Sequence, residues 1–129
     1  MAKGREKHQE RQRALLALGT PLSRRASSKC ELCSTAGVSL RPLEVLPEEE
    51  EPRLERCILI CAACTPGTQG DLESPERWRF LEEVAWSELP PLQVTAVRML
   101  RAMESSEPWA ASALELLYLS PEVSDWLDP

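Results

Sequence analysis

Histidine is all but missing from this chain. The single copy, His8, lies in a charged and amide-rich run from Lys3 to Arg13, so a histidine metal cluster or an imidazole general base has no second member to work with. Aromatic residues are few: Trp78, Phe80, Trp86, Trp109, Tyr118 and Trp126, with none in the first 77 positions. The front of the chain therefore lacks the bulkiest core material and needs another source of stability. The five glycines build no GxGxxG or Walker loop, and no serine sits in a GxSxG elbow. No apolar run approaches the ~20 residues of a spanning helix. The charged start also lacks the apolar stretch of a secretory signal. These absences predict a soluble cytoplasmic protein that is not an enzyme and has no membrane partner.

Charge is present but unevenly placed. Residues 1–29 carry eight Lys/Arg against two Glu, whereas residues 30–129 carry seven against nineteen Asp/Glu, within a formal net charge of −6. The acidic balance argues against wholesale binding to nucleic acid or to an anionic membrane. The basic head keeps a weak, salt-sensitive nucleic-acid contact open through residues 1–29, with Lys3, Lys7, Arg11, Arg24 and Arg25 as candidate phosphate contacts. A solvated basic helix explains the same residues, and no aromatic platform for base stacking accompanies them.

The front of the chain reads as a helix over 3–18, stopped at Gly19, followed by a short helix opened by Thr20-Pro21 and ending near Ser27-Ser28. Short apolar stretches at Val38–Leu40 and Leu43–Leu46 precede the solvated loop PEEEEP (47–52). Cys57-Ile-Leu-Ile-Cys61 has the β-branched content of a strand. TPGTQGD (65–71) reads as a turn-rich linker. Beyond it, Ser74-Pro75, Pro90-Pro91, Pro108 and Ser120-Pro121 each carry the start signals of a helix. The first of these runs to about Ala85. The third should place Ala110, Ala113, Leu114, Leu117 and Tyr118 on one side. The resulting division is a basic helical arm over 1–28, a cysteine module over 29–66 and a helical region over 67–129.

Five cysteines carry the strongest signal, four of them as C-x2-C-x27-C-x2-C: Cys30, Cys33, Cys61 and Cys64. Two intervening residues let both sulfurs of a tight knuckle meet one ion, and two knuckles complete a closed tetrahedral shell with no position for water. An odd cysteine count with paired CxxC spacing fits metal binding better than a disulfide framework. A redox CxxC needs only one pair and a βαβ setting. The expected cofactor is one structural Zn²⁺, stapling a segment shorter than the roughly 40 residues at which chains usually fold unaided. Cys57, outside the knuckle spacing, reads as a buried free thiol.

A CxxC, an apolar turn, Leu43-Glu44-Val45-Leu46-Pro47 and an apolar strand into a second CxxC resemble the zinc-bearing HNH nucleases. The segment that supplies that family's catalytic histidines has none here, which points to a degenerate, nucleic-acid-binding scaffold as an alternative. A wider resemblance is carried by SKCELC (28–33), RPLEVLP (41–47), RCILICAAC (56–64), RWRFLEEVAWSELPPLQVTAVRML (77–100) and WAASALELLYLSPEV (109–123). Together these resemble the PhnA family, named for an alkylphosphonate-utilisation operon. The likeness implies that family's zinc-ribbon and helical region without its SH3-like domain, the same four cysteine ligands, and a link by name to phosphonate metabolism. The expected fold class is α+β: a small four-cysteine zinc-ribbon or treble-clef-like β module between a basic helix and a helical cluster. The expected function is a non-enzymatic interaction or regulatory module with protein partners.

Overall fold

The computed structural model describes the backbone from Ala2 to Pro129 and side chains from Gly4 onward. It is mixed α and β and divides into two compact units, one ending at Ala62 and one spanning Ala63–Pro129.

The first unit begins with α1 (Ala2–Ala17) and α2 (Gly19–Ala26). Gly19 does not stop a helix, as its position suggests, but starts the second one. Leu18 takes the bend instead, donating to the Leu15 carbonyl and accepting from Leu22 N–H. No side chain caps α2, so Thr20 has no N-cap role. The helix closes at Ser27, which adopts a left-handed conformation and directs its N–H back into the last turn.

Strands β1 (Leu40–Glu44) and β2 (Cys57–Cys61) form an antiparallel pair, with Leu40 opposite Cys61 and Glu44 opposite Cys57. Every residue of β2 is buried. Leu22 of α2 packs with Cys57 and Leu59 of β2, and Leu15, Leu18, Ala26, Leu40 and Leu54 surround that cluster. The basic segment is thus no separate arm. Leu15, Leu18 and Leu22 are core for the strands, because a two-stranded sheet needs a packed face to be stable, whereas Leu16 is exposed. The PEEEEP loop is largely exposed, in keeping with its charge.

The second unit is helical: α3 (Thr65–Thr68), α4 (Leu81–Val84), α5 (Pro90–Met103), α6 (Pro108–Leu116) and α7 (Pro121–Leu127). Helix α5 is its axis, touching α3, α4, α6 and α7. Ten of its residues are buried, Gln93 and Thr95 among them. Gln93 Nε2 donates to the Ala85 carbonyl and Thr95 Oγ1 to Pro91, so both polar groups are satisfied. The expected linker 65–71 is instead α3 and its closing turn. Gly67 is buried there because a Cβ would lie under 3.0 Å from three atoms of the Trp78 ring. The unit boundary accordingly falls at Ala62/Ala63, ahead of the predicted 66/67.

Two further expectations are corrected. Ser74 caps nothing; it sits at φ 53°, and the helix predicted from Pro75 to about Ala85 is a 3₁₀ turn (Pro75–Trp78) followed by the single-turn α4. Helix α6 ends at Leu116, and Tyr118 beyond it is exposed rather than packed with Ala110. The prediction at Ser120 holds: its hydroxyl accepts from Val123 N–H at 3.3 Å and caps α7.

Candidate metal centre

The first knuckle forms because the chain from Lys29 to Gly37 folds back on itself. Lys29 bridges Ala36, Cys30 N–H donates to the Thr35 carbonyl at 3.0 Å, and Ser34 N–H donates to Cys30 at 2.8 Å. Ser34 and Gly37 take positive φ values of 66° and 74°, which brings the chain round within a few residues. The second knuckle is the exit of β2: Cys61 is its last residue, and Cys64 immediately precedes α3.

The four cysteines expected to converge do so. Sγ atoms of Cys30, Cys33, Cys61 and Cys64 all lie within 4.8 Å of one another. Cys33 and Cys61 sulfurs stand 3.7 Å apart. Cys30, Cys61 and Cys64 are buried, Cys33 is half-buried, and none of the five cysteines forms a disulfide. Backbone donors point at the sulfur of Cys30: Cys33 N–H at 3.5 Å and Cys61 N–H at 3.4 Å. The Thr35 hydroxyl lies 3.2 Å from Cys33 Sγ. Four thiols in one buried pocket, with N–H groups turned to them, suit thiolates around a cation, since the donors stabilise negative charge on sulfur. The arrangement can hold one metal ion.

Cys57 stays apart from this set. Its sulfur is wholly buried in the Leu22–Leu59 cluster. Burial, and secondarily the nearby Glu44 carboxylate, pushes the thiol up to about 11, although Arg25, Arg11 and Arg56 pull the other way. It is an unreactive core side chain.

The basic candidates divide. Arg11 is not free for phosphate: its guanidinium pairs with buried Glu44, approaches Glu48 and donates to the Glu50 carbonyl. Arg25 is likewise committed, to Glu31. The sequence could not show that each had a carboxylate waiting in the β module. Lys7 and Arg24 are exposed. The side chain of Lys3 lies outside the described residues.

Sequence reasoning passed over Glu44, which is buried, and Glu31, whose side chain is buried although its backbone is partly exposed. The only signal to be had was an acidic residue inside a knuckle and another inside an apolar strand. Among the described residues no helix is long and apolar enough to cross a membrane. No protein-family model, no curated protein and no solved structure matches the chain.

Proposed function

We propose that Cys30, Cys33, Cys61 and Cys64 hold one structural Zn²⁺ and that the chain is a non-enzymatic, PhnA-like module that acts through protein partners. The observation that carries the zinc assignment is the convergence of four sulfurs from two CxxC knuckles. At a Zn–S length of about 2.3 Å, tetrahedral geometry sets sulfurs roughly 3.8 Å apart, and the Cys33–Cys61 separation is 3.7 Å. Zinc bound there supplies a fixed charge and a cross-link. With four thiolates around it, no coordination position is left to activate water.

Kinship with the PhnA family belongs to this proposal and is supported by the segments around both cysteine pairs and along the helices. It carries over the ligand set, and no residue ties the chain to phosphonate chemistry. The nucleic-acid reading on a degenerate HNH-like scaffold is weakened by the commitment of Arg11 and Arg25 to Glu44 and Glu31.

The test is elemental analysis of purified, reduced protein, with Co²⁺ substitution to read the coordination sphere. One metal per chain and a tetrahedral thiolate spectrum are expected. An ordered protein without tightly held metal, or one with an iron–sulfur absorption, would end the zinc assignment. Titration with duplex DNA and RNA should give no signal even at about 50 mM salt, where charge-driven binding is strongest. Phosphate release from an alkylphosphonate by the zinc-loaded protein would overturn the non-enzymatic part.

A further inference from the structure

We propose that Arg25 and Glu31 are positioning residues for the metal centre, an ion pair that fixes the first knuckle to β2 whether or not metal is bound. This rests on the zinc assignment above and adds the part played by two residues that ligate nothing.

Glu31 follows Cys30 inside the first knuckle, where an acidic side chain would ordinarily face water. Here its side chain is only 4% exposed. The carboxylate accepts from Arg25 Nε at 3.0 Å, from Arg25 Nη2 at 2.8 Å and from Leu59 N–H at 2.8 Å. The backbone N–H of Glu31 in turn donates to the Leu59 carbonyl at 2.8 Å. Glu31 therefore pairs with Leu59 as a neighbouring strand residue would, its carboxylate standing in for a backbone carbonyl. Leu59 has both groups to spare because Val45 N–H donates to the Arg56 carbonyl, a register that makes Leu59–Pro42 a non-hydrogen-bonded pair whose backbone groups on Leu59 face away from β1.

Arg25 extends the connection to a third element. From α2 it also donates to the carbonyls of Leu54 at 3.2 Å and Cys57 at 2.8 Å, on either side of the turn that leads into β2. One guanidinium thus ties α2, the first knuckle and the second strand together, a task for a planar five-donor fork and not for a point charge. The consequence for the centre is geometric. Holding Glu31 against Leu59 keeps Cys61, two residues on, beside Cys30, so that the Cys61 N–H reaches the Cys30 sulfur. None of these bonds needs a metal. Removing the carboxylate leaves a part-buried guanidinium and the Leu59 N–H without their acceptor, so the knuckle should shift when Glu31 is lost.

The experiment compares wild type, Glu31→Ala, Glu31→Gln and Arg25→Lys as full-length, reduced, Zn²⁺-loaded proteins. It reads zinc stoichiometry, the rate of zinc transfer to an excess chromogenic chelator, and amide exchange at Glu31 and Leu59 after the metal is stripped. Wild type should hold one zinc and keep both amides protected when stripped. Glu31→Ala should bind zinc about 10- to 100-fold more weakly, as outer-sphere losses commonly do, and release it correspondingly faster. Glu31→Gln, which retains an acceptor for Leu59 N–H, should recover part of the loss, and Arg25→Lys should resemble it. The fluorescence of the four tryptophans, all beyond residue 77, should not move in any variant.

Equal release rates in wild type, Glu31→Ala and Glu31→Gln would overturn the proposal, as would loss of protection at Glu31 and Leu59 in stripped wild type. If Glu31→Ala fails to fold, the ratio between Glu31→Gln and wild type decides. Wild type without zinc would refute the zinc assignment instead, and the exchange comparison would still decide whether the pair holds the knuckle.

Discussion

The unit that ends at Ala62 and the unit that begins at Ala63 reach a stable fold with different materials. The first has no aromatic residue and only a small leucine–cysteine cluster under a two-stranded sheet. It relies on directional bonds: three of the four clustered cysteines (Cys30, Cys33 and Cys61), the Arg25–Glu31 pair and the Arg11–Glu44 pair. The second has all six aromatic residues and a central helix buried along most of its length. Its order comes from area removed from water, with Trp78 sealed beneath Gly67. The difference teaches where each should fail. Directional bonds are lost all at once when a ligand or partner goes, whereas an apolar core gives way by degrees with the volume removed.

The sharpest way to test that contrast is to remove the metal's hold. Cys33→Ser, or stripping by a chelator, should abolish stoichiometric zinc and with it a term on the order of 10–16 kcal/mol of apparent binding energy. Circular dichroism should report a partial loss of structure around the two knuckles, with the Glu31 and Leu59 amides still protected, while tryptophan fluorescence stays native. A cooperative loss of both signals would erase the distinction between the units.

Trp78→Ala makes the opposite cut. It should cost about 3–5 kcal/mol, shift the fluorescence-detected transition in urea and leave zinc content at its wild-type value. Gly67→Ala probes the same contact from the other side: overpacking against the indole should cost about 1–3 kcal/mol, again with zinc unchanged. A neutral result would mean that the indole can withdraw.

Cys57 sharpens the comparison within the first unit, since it is the one cysteine that behaves as core. Chelator-treated native protein should take up four carbamidomethyl groups from iodoacetamide near pH 8, with the fifth added only on unfolding. Mass spectrometry of digested protein would show it, and rapid labelling of Cys57 would contradict its burial and its raised pKa.

The smallest effect belongs to the second unit's surface. Arg101 donates to both oxygens of Asp128 at 3.0 and 2.9 Å, tying the end of α7 to α5, and that hydrogen bonding holds the Asp128 carboxyl below the usual range. A depressed folded pKa contributes stability above the unfolded value and loses it as pH falls through the folded one. Acidification should therefore fray the last turn of α7 first, visible in the Leu127 amide resonance, and Asp128→Asn should reproduce the change at neutral pH.

Much of the metal centre was legible in advance. The spacing between Cys30 and Cys33, and between Cys61 and Cys64, specifies two knuckles by chain geometry alone. Cys57-Ile-Leu-Ile-Cys61 announced a strand through its branched side chains. Helices α5 and α7 were legible because Pro90-Pro91 and Ser120-Pro121 mark starts that need no tertiary partner. The misreadings share one cause. Gly19, Ser74 and the Thr65–Asp71 run carry the residue types of stops, caps and linkers, but packing outweighed those local preferences. Gly67 is small because Trp78 lies on it, not because the chain turns there.

The amino-acid order by itself determined which four sulfurs would meet, that Cys57–Cys61 would be a strand and that helices would start at Pro90 and Pro121, since spacing and start signals act within a few residues. Only the tertiary structure decided that Leu15, Leu18 and Leu22 are the sheet's core, that Arg11 and Arg25 face carboxylates instead of solvent, and that Glu31 borrows a place in the ladder beside Leu59. Except for Glu31, six residues from Arg25, those outcomes depend on partners roughly 30 residues away, and a side chain's charge or hydrophobicity does not name its partner until the chain has folded.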